Sequence, residues 1–557
     1  MSDVYTHSES LLNLVFATSF CITVLLAFLF IFSLWHYAKK VIKEYSVILK
    51  GYYLPITCVL FFFAGLGLVE WRTILLDTDI RSNLLRVANG ISRTIDSNDL
   101  KKLSFSGKDE TLPIYNSISK QFYLFKKSLD SNIANIYILH KKNEKYCLGP
   151  QSDLKTDSKY ILPGSLYRNN NNILDEINRT KLPKVYGPYA GNFGEYITAY
   201  VSIYEPNNQS NSFDIIGLDI NSELWKNILE KSRANVIIGM MVLLGTLFLI
   251  FVFLIRREKK SNSDVGNVDL LPYLTLLYGL ELSIALALFV NSINIEKAQQ
   301  DFFQLADSKS LCLSDFFRRL NSDLIWAKSF LIKNEGLFSR DEFEFFVKNF
   351  SNGIEKKICK WIDVVDGDKL TSYESLVRQE NGFENFKVTE FKSQTNKPPV
   401  KKASQYYPIR YAYPEQEHEY TVGCDYKGEK QRANIMNYVR DTGLISAICP
   451  SEFASRFSQN CLFVFVPITN KNNELTNFLI PILPLQDIID EIMSLQSNLN
   501  ENVDYKIIDL EQDNIVNILA EYPKQKHLIK EKKSKDGFDL VYPIFIFGRA
   551  LAINVRP

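Results

Sequence analysis

Catalytic apparatus is what this sequence has least of. Its 557 residues include only five histidines, His7, His36, His140, His418 and His527, and none stands in a metal-ligand or nucleophile pattern. It contains no phosphate-cradling Gly-rich loop, no Gly-x-Ser-x-Gly and no His-Glu-x-x-His. No Cys-x-x-Cys or Cys/His spacing suggests zinc. The formal net charge is only +1, which gives no reason to expect nucleic acid. These absences argue against an enzyme, a metal site and a bound cofactor.

What is present is a set of four apolar runs: Leu11–Trp35, Gly51–Val69, Ala234–Ile255 and Leu270–Ile293. Each is long enough to cross a hydrocarbon core of roughly 30 Å. The leader Met1–Ser10 carries acids but no Lys or Arg, and the apolar core behind it is too long for a cleaved signal, so the first run reads as an uncleaved anchor. Lys39, Lys40, Lys43 and Lys50 lie between the first two runs, and Arg256, Arg257, Lys259 and Lys260 between the last two. Short basic loops stay cytoplasmic. The pattern predicts four transmembrane helices in a bacterial inner membrane. The polar regions 77–233 and 294–557 and both termini are then extracytoplasmic.

Of eight cysteines, Cys147, Cys312, Cys359, Cys424, Cys449 and Cys461 fall in those polar regions. An oxidising compartment lets disulfides persist, and Cys449 and Cys461 are the nearest pair, but spacing alone leaves pairing open.

In the first polar region, Leu84, Leu85, Val87, Ala88, Ile91 and Ile95 recur at helical spacing, and Ser119–Leu129 reads as a second helix. Short apolar runs follow at 136–139, 197–203 and 213–219, bounded by turn residues, and read as strands. Leading helices followed by an antiparallel sheet make an α+β domain. The run Gly187-Pro-Tyr-Ala-Gly-Asn-Phe-Gly-Glu-Tyr-Ile-Thr-Ala-Tyr-Val-Ser-Ile-Tyr-Glu-Pro206, with Ile216-Gly-Leu-Asp-Ile220, Trp225 and the earlier Ser106–Tyr115, resembles the extracytoplasmic PAS-like (Cache-type) sensor domains of bacteria. The resemblance spans roughly 77–233. It implies a ligand pocket in which Tyr186, Tyr189 and Tyr196 are candidate lining residues; a tyrosine offers both an apolar face and a hydroxyl. Most such tyrosines serve the core.

The last apolar run contains Glu281 near its middle. An acid there costs a few kcal/mol unless it is neutral or paired. A protonated Glu281 bonded to a neighbouring helix is favoured over a proton or voltage sensor.

In the second polar region, Phe302, Ala306, Leu313, Phe317, Leu320, Leu324, Ala327 and Leu331 predict a long stalk helix from Ile295. Ser339 with Glu342 forms a capping-box signature for the next helix. Phe338–Phe343, Trp361–Val365, Tyr407-Pro-Ile409, Pro414, Gly423-Cys-Asp425, Arg432, Thr442-Gly443, Val466-Pro-Ile468 and Phe547-Gly-Arg549 together resemble the CHASE domain over about 294–557. That resemblance implies a sensor with a stalk helix and two PAS-like halves, and a pocket near Tyr411, Tyr413, Gly423, Ile448 and Phe463. Asp363 and Val364 stand where the family often has Pro and Arg. Pro414 falls near the position of the Asp that binds adenine in plant cytokinin receptors, which argues against cytokinin. Gly423 as a turn former, Asp425 as a cap and Arg432 as an ion-paired helix residue are the ordinary structural alternatives.

Together these features predict an α+β membrane protein with four transmembrane helices and two extracytoplasmic PAS-like modules. Its role would be that of a sensory receptor subunit for a small ligand, without its own kinase or cyclase output. The expected partners are that ligand, a separate signalling-output protein, the lipid bilayer and a second copy along the stalk and transmembrane helices. A non-sensing scaffold or truncated remnant is the alternative.

Overall fold

The computed structural model describes residues 46–129, 133–169, 171–191, 193–203, 214–231, 233–234, 237, 271–333, 339–350, 358–380, 383–390, 398–414, 421–428, 430–449, 460–494, 503–511, 517–523 and 540–556. Helix α1 (Ser46–Thr94) buries Leu84, Ala88 and Ile91, spaced four and three apart as a helix face requires. Helix α2 (Pro113–Ser128) starts earlier than the Ser119 read from the sequence, because Pro113 sits in its first turn, where a missing N–H costs no hydrogen bond. Its buried stripe is Ile114, Ile118, Gln121, Phe122 and Phe125.

Strands β1 (Ile133–Lys142), β2 (Lys145–Gln151), β3 (Leu166–Tyr167), β4 (Lys184–Gly191), β5 (Gly194–Ser202) and β6 (Ile215–Asn221) form one sheet in the order β3-β2-β1-β6-β5-β4. Their pairings are antiparallel. Helix α3 (Asn171–Thr180) packs Leu174 and Ile177 against one face. The other face buries Ile136, Ile138, Ile197, Ala199, Ile216 and Leu218 with residues of α1 and α2. Each fully buried side chain of that size is worth about 1.5–3 kcal/mol.

The second module opens with α4 (Leu271–Lys333), whose stripe from Phe302 to Leu331 is buried at the predicted positions. Helix α5 (Arg340–Asn349) is capped as the sequence suggests: Ser339 Oγ accepts from the Glu342 N–H, and the Glu342 carboxylate accepts from the Ser339 N–H at 2.8 Å. Strand β7 (Ile358–Asp363) precedes β8 (Val365–Asp366), helix α6 (Leu370–Val377), β9 (Gln405–Tyr406), β10 (Ile409–Tyr413), helix α7 (Lys430–Thr442), β11 (Ser446–Ile448), β12 (Cys461–Thr469) and β13 (Leu475–Pro484). The five-stranded sheet runs β10-β7-β13-β12-β11, and β8 pairs with β9 apart from it. Helix α8 (Leu485–Ser494) leads to β14 (Asp504–Asp509), β15 (Asn517–Tyr522), β16 (Leu540–Ile546) and β17 (Arg549–Arg556), which form a four-stranded sheet, β15-β14-β17-β16. In all three sheets the first strand lies between the second and the last of the main ladder.

The modules share a core. Phe545 and Ala550 of the last sheet belong to the cluster made by α1, α2 and the first sheet. Arg86 of α1 pairs with Asp307 of α4 at 2.9 Å, and Asp307 also accepts from Tyr542.

Two expectations are corrected here. Among the described residues no helix is long and apolar enough to cross a membrane. This overturns the fold class with four transmembrane helices, and with it the multi-pass placement in an inner membrane. The run 51–69 does not stand alone: it lies in α1, which continues through Glu70, Arg72 and Asp77 into the domain core. The run 270–293 likewise leads into the amphipathic length of α4. The run 11–35 and nearly all of 234–255 lie outside the described residues. Glu281 falls within α4, and its side chain is likewise outside them. Cys449 and Cys461 form no disulfide; Cys449 packs on the core cluster under one face of the five-stranded sheet and Cys461 in that of the other.

Candidate ligand-binding site

The alternation of β strands gives the first sheet one face packed on α1 and α2 and a second face, packed in part on α3, that carries an acid and several hydroxyls. On β6 the helix-facing residues are Ile216, Leu218 and Ile220, while Gly217 and Asp219 point the other way. Their cross-strand partners extend that second face: Asp219 stands opposite Asn135 and Thr198, and Gly217 opposite Tyr137 and Tyr200. Gly217 is required there. A Cβ on it would lie 2.4 Å from the Tyr137 ring, so only glycine lets that phenol lie flat over β6.

A cavity of about 420 Å³ opens on this face. Asp219, Asp153, Tyr137, Tyr167, Tyr189, Tyr196, Lys159 and Arg168 are among its walls. The hydroxyls converge. Asp219 accepts from Thr198 Oγ1 at 2.5 Å and from the Tyr137 phenol at 3.1 Å. Tyr167 lies 2.8 Å from Tyr200 and 3.2 Å from Tyr189, and Tyr189 lies 2.8 Å from Thr198. Asp153 is buried and paired with Lys126 of α2 at 2.6 Å.

Burial dominates the electrostatics. It pushes the Asp219 carboxyl up to about 7 against the opposing hydrogen bonds of Thr198 and Tyr137; Asp153 adds to the rise and Lys126 reduces it. Near neutral pH this acid therefore stands between its two charge states. Burial, followed by the nearby Asp219 charge, also raises the Tyr137 and Tyr189 phenols well above their usual range, so they stay protonated donors. A carboxylate at the floor of an aromatic chamber can bind an ammonium group, which gains both the ion pair and the ring faces.

Of the tyrosines named from the sequence, Tyr189 and Tyr196 line this cavity. Tyr186 is stacked on Tyr189 with ring centroids 5.7 Å apart and is partly exposed. Tyr200, read with them as a core aromatic, is buried beside the cavity; Asp219, Asp153, Tyr137, Tyr167 and Thr198 are not among the residues the sequence points to. One signal was available: an acid inside the otherwise apolar strand Ile215-Ile-Gly-Leu-Asp-Ile220 must be either paired or functional.

The residues named in the second module fall into two groups on opposite faces of the five-stranded sheet, Tyr411 with Tyr413 and Ile448 with Phe463. Tyr411 is buried between Phe343 and Phe383, with its hydroxyl on Glu380 at 3.1 Å. Tyr413 is half-buried against the same cluster. Phe463 and its cross-strand neighbour Ile448 belong to the cluster on the opposite face of the sheet. Gly423 has φ +79° and a Cβ there would meet the Lys387 carbonyl at 2.6 Å, so a turn demands glycine. Asp425 accepts from the Tyr407 N–H at 2.9 Å, and the Arg432 guanidinium lies 4.7 Å from the Tyr426 ring centroid. The principal polar cluster here centres on Asp363, which accepts from Trp361 Nε1, Tyr373, Asn477 and Arg410.

Residues 336–519 match the CHASE domain family. No curated protein matches the chain. Among solved structures, the ligand-binding domain of the Campylobacter jejuni chemoreceptor Tlp3, in complex with L-valine, is 21% identical, with a TM-score of 0.15. The likeness covers 28% of this chain and 66% of that one. The periplasmic sensory domain of the Campylobacter jejuni chemoreceptor Tlp1 is 10% identical over 45% of this chain and 90% of that one, with a TM-score of 0.23. The CHASE match supports an extracytoplasmic sensory role.

Proposed function

We propose that this CHASE-containing chain is a small-molecule sensor whose ligand seat is the Asp219 cavity of its first module. In this reading the ligand is amino-acid-sized and carries an ammonium group. The observation that carries it is the buried Asp219 carboxylate at the floor of a cavity of about 420 Å³. Tyrosine rings form the walls, and the hydroxyls of Tyr137 and Thr198 fix the carboxylate's orientation. Arg168 and Lys159 border the same cavity, where they would meet a ligand carboxylate. In this reading the chain binds rather than catalyses.

In this reading the second module relays rather than receives. The residues named for a pocket there are split between two core clusters. The test is a thermal-shift screen of the full chain against the twenty L-amino acids, their decarboxylated amines and their deaminated acids. Ligand at about 100 times its Kd stabilises a fold by about 2.7 kcal/mol. Shifts from amines and amino acids, but not from deaminated acids, support the reading. Shifts from the deaminated acids alone would overturn it.

A further inference from the structure

We propose that helix α2 couples the Asp219 cavity to the C-terminal sheet of the second module, so that a change of charge in the cavity alters the β16–β17 hairpin. This rests on the Asp219 cavity being the sensing site, and adds the route by which its state leaves the first module.

Helix α2 touches both ends of that route within two turns. Lys126 reaches Asp153 at 2.6 Å, and Asp153 lines the same cavity as Asp219. One residue and four residues before Lys126, Phe125 and Phe122 are fully buried with ring centroids 6.0 and 5.8 Å from that of Phe545. Gln121 donates to the Arg549 carbonyl at 3.0 Å, at the start of β17. Arg549 is itself held by buried Asp509 at 2.5 Å and by Glu511 at 3.3 Å, and Lys120 pairs with Glu511 at 3.0 Å.

The Phe122, Phe125 and Gln121 contacts are buried, the Lys126–Asp153 pair is part-buried and the Lys120–Glu511 pair is exposed; a packed interior responds to a shift at one face by moving the other. The physical driver is charge. With Asp219 ionised, Lys126 is drawn toward two carboxylates. Once a ligand cation neutralises Asp219, that pull falls to Asp153 alone, and the balance holding α2 against the cavity changes. The gain or loss of this one attraction biases α2 between two packed positions, which Phe122, Phe125 and Gln121 pass to β16–β17.

The test needs no ligand. Amide hydrogen exchange is followed in the full chain for wild type, Asp219→Asn, Lys126→Met and the double variant. Asp219→Asn removes the charge at position 219 alone. The expected result is a change of about threefold or more in exchange over 540–556 in Asp219→Asn, absent when Lys126→Met is the background. Unchanged exchange over 540–556, or a change that persists without Lys126, overturns the coupling. Should Asp219→Asn not fold, Asp153→Asn replaces it, removing the charge that holds Lys126 and leaving Asp219 in place. Because no ligand enters the experiment, its outcome stands apart from the ligand screen.

Discussion

The phenol of Tyr137 lies 3.1 Å from the carboxylate of Asp219, joined across the paired strands β1 and β6. That contact fixes an acid inside an aromatic chamber and ties its charge to the stability of the sheet. A carboxyl held near 7 in the folded chain and near 3.8 in the unfolded one binds its proton more tightly when folded. Its contribution to stability is therefore most favourable at low pH and declines as pH rises from about 4 to about 7.

Replacing Asp219 by Asn removes that decline. Asp219→Asn is expected to be more stable than wild type by about 2–4 kcal/mol at pH 8, with the difference vanishing toward pH 4. Urea unfolding at a series of pH values checks this. A constant difference across the series would show that Asp219 does not titrate in this window.

Gly217→Ala tests the shape of the chamber. The new Cβ would overlap the Tyr137 ring, forcing it off Asp219. A loss of about 1–3 kcal/mol is expected, together with loss of any thermal shift produced by amines. Wild-type stability and unchanged shifts would mean that Tyr137 is free to move.

Asp363 anchors the second module in the same manner, with Trp361, Tyr373, Asn477 and Arg410 all directed at it. Removing the acid leaves Arg410 with Glu380 as its carboxylate partner and strands the buried donors of Trp361, Tyr373 and Asn477. Asp363→Ala is expected to cost about 3–5 kcal/mol, measured by chemical denaturation. A cost below about 1 kcal/mol would show that Glu380 satisfies Arg410 and that the other donors find new partners.

Ser339→Ala removes one half of the capping box on α5. The expected cost is about 1 kcal/mol, seen as faster amide exchange in the first turn of α5. No change there would show that the cap is redundant.

Local rules made parts of this molecule readable from sequence. The Ser339–Glu342 cap and the stripe from Phe302 to Leu331 obey spacing alone, and both appear as read. Tyr189 and Tyr196 were also within reach, because they sit in a run dense in aromatics. The rest of the site was not. Tyr137, Tyr167, Thr198 and Asp219 come from four strands, and only the sheet register places them on one face. The membrane reading failed for a related reason. Composition over a short window does not reveal that 51–69 and 270–293 run unbroken into helices that pack on domain cores. The split of Tyr411 from Phe463 again follows from side-chain alternation across β10 and β12, which linear order hides.

A cation seated on Asp219 must displace that acid's proton, so binding and proton release are linked. The amine or amino acid giving the largest thermal shift is titrated calorimetrically into the full chain at pH 7, in buffers of different ionisation enthalpy. A cation seated on Asp219 lowers its proton affinity, so binding should release about half a proton in wild type and none in Asp219→Asn, with affinity at least tenfold weaker in the variant. Binding that releases no proton, or that Asp219→Asn retains at full strength, would contradict the account.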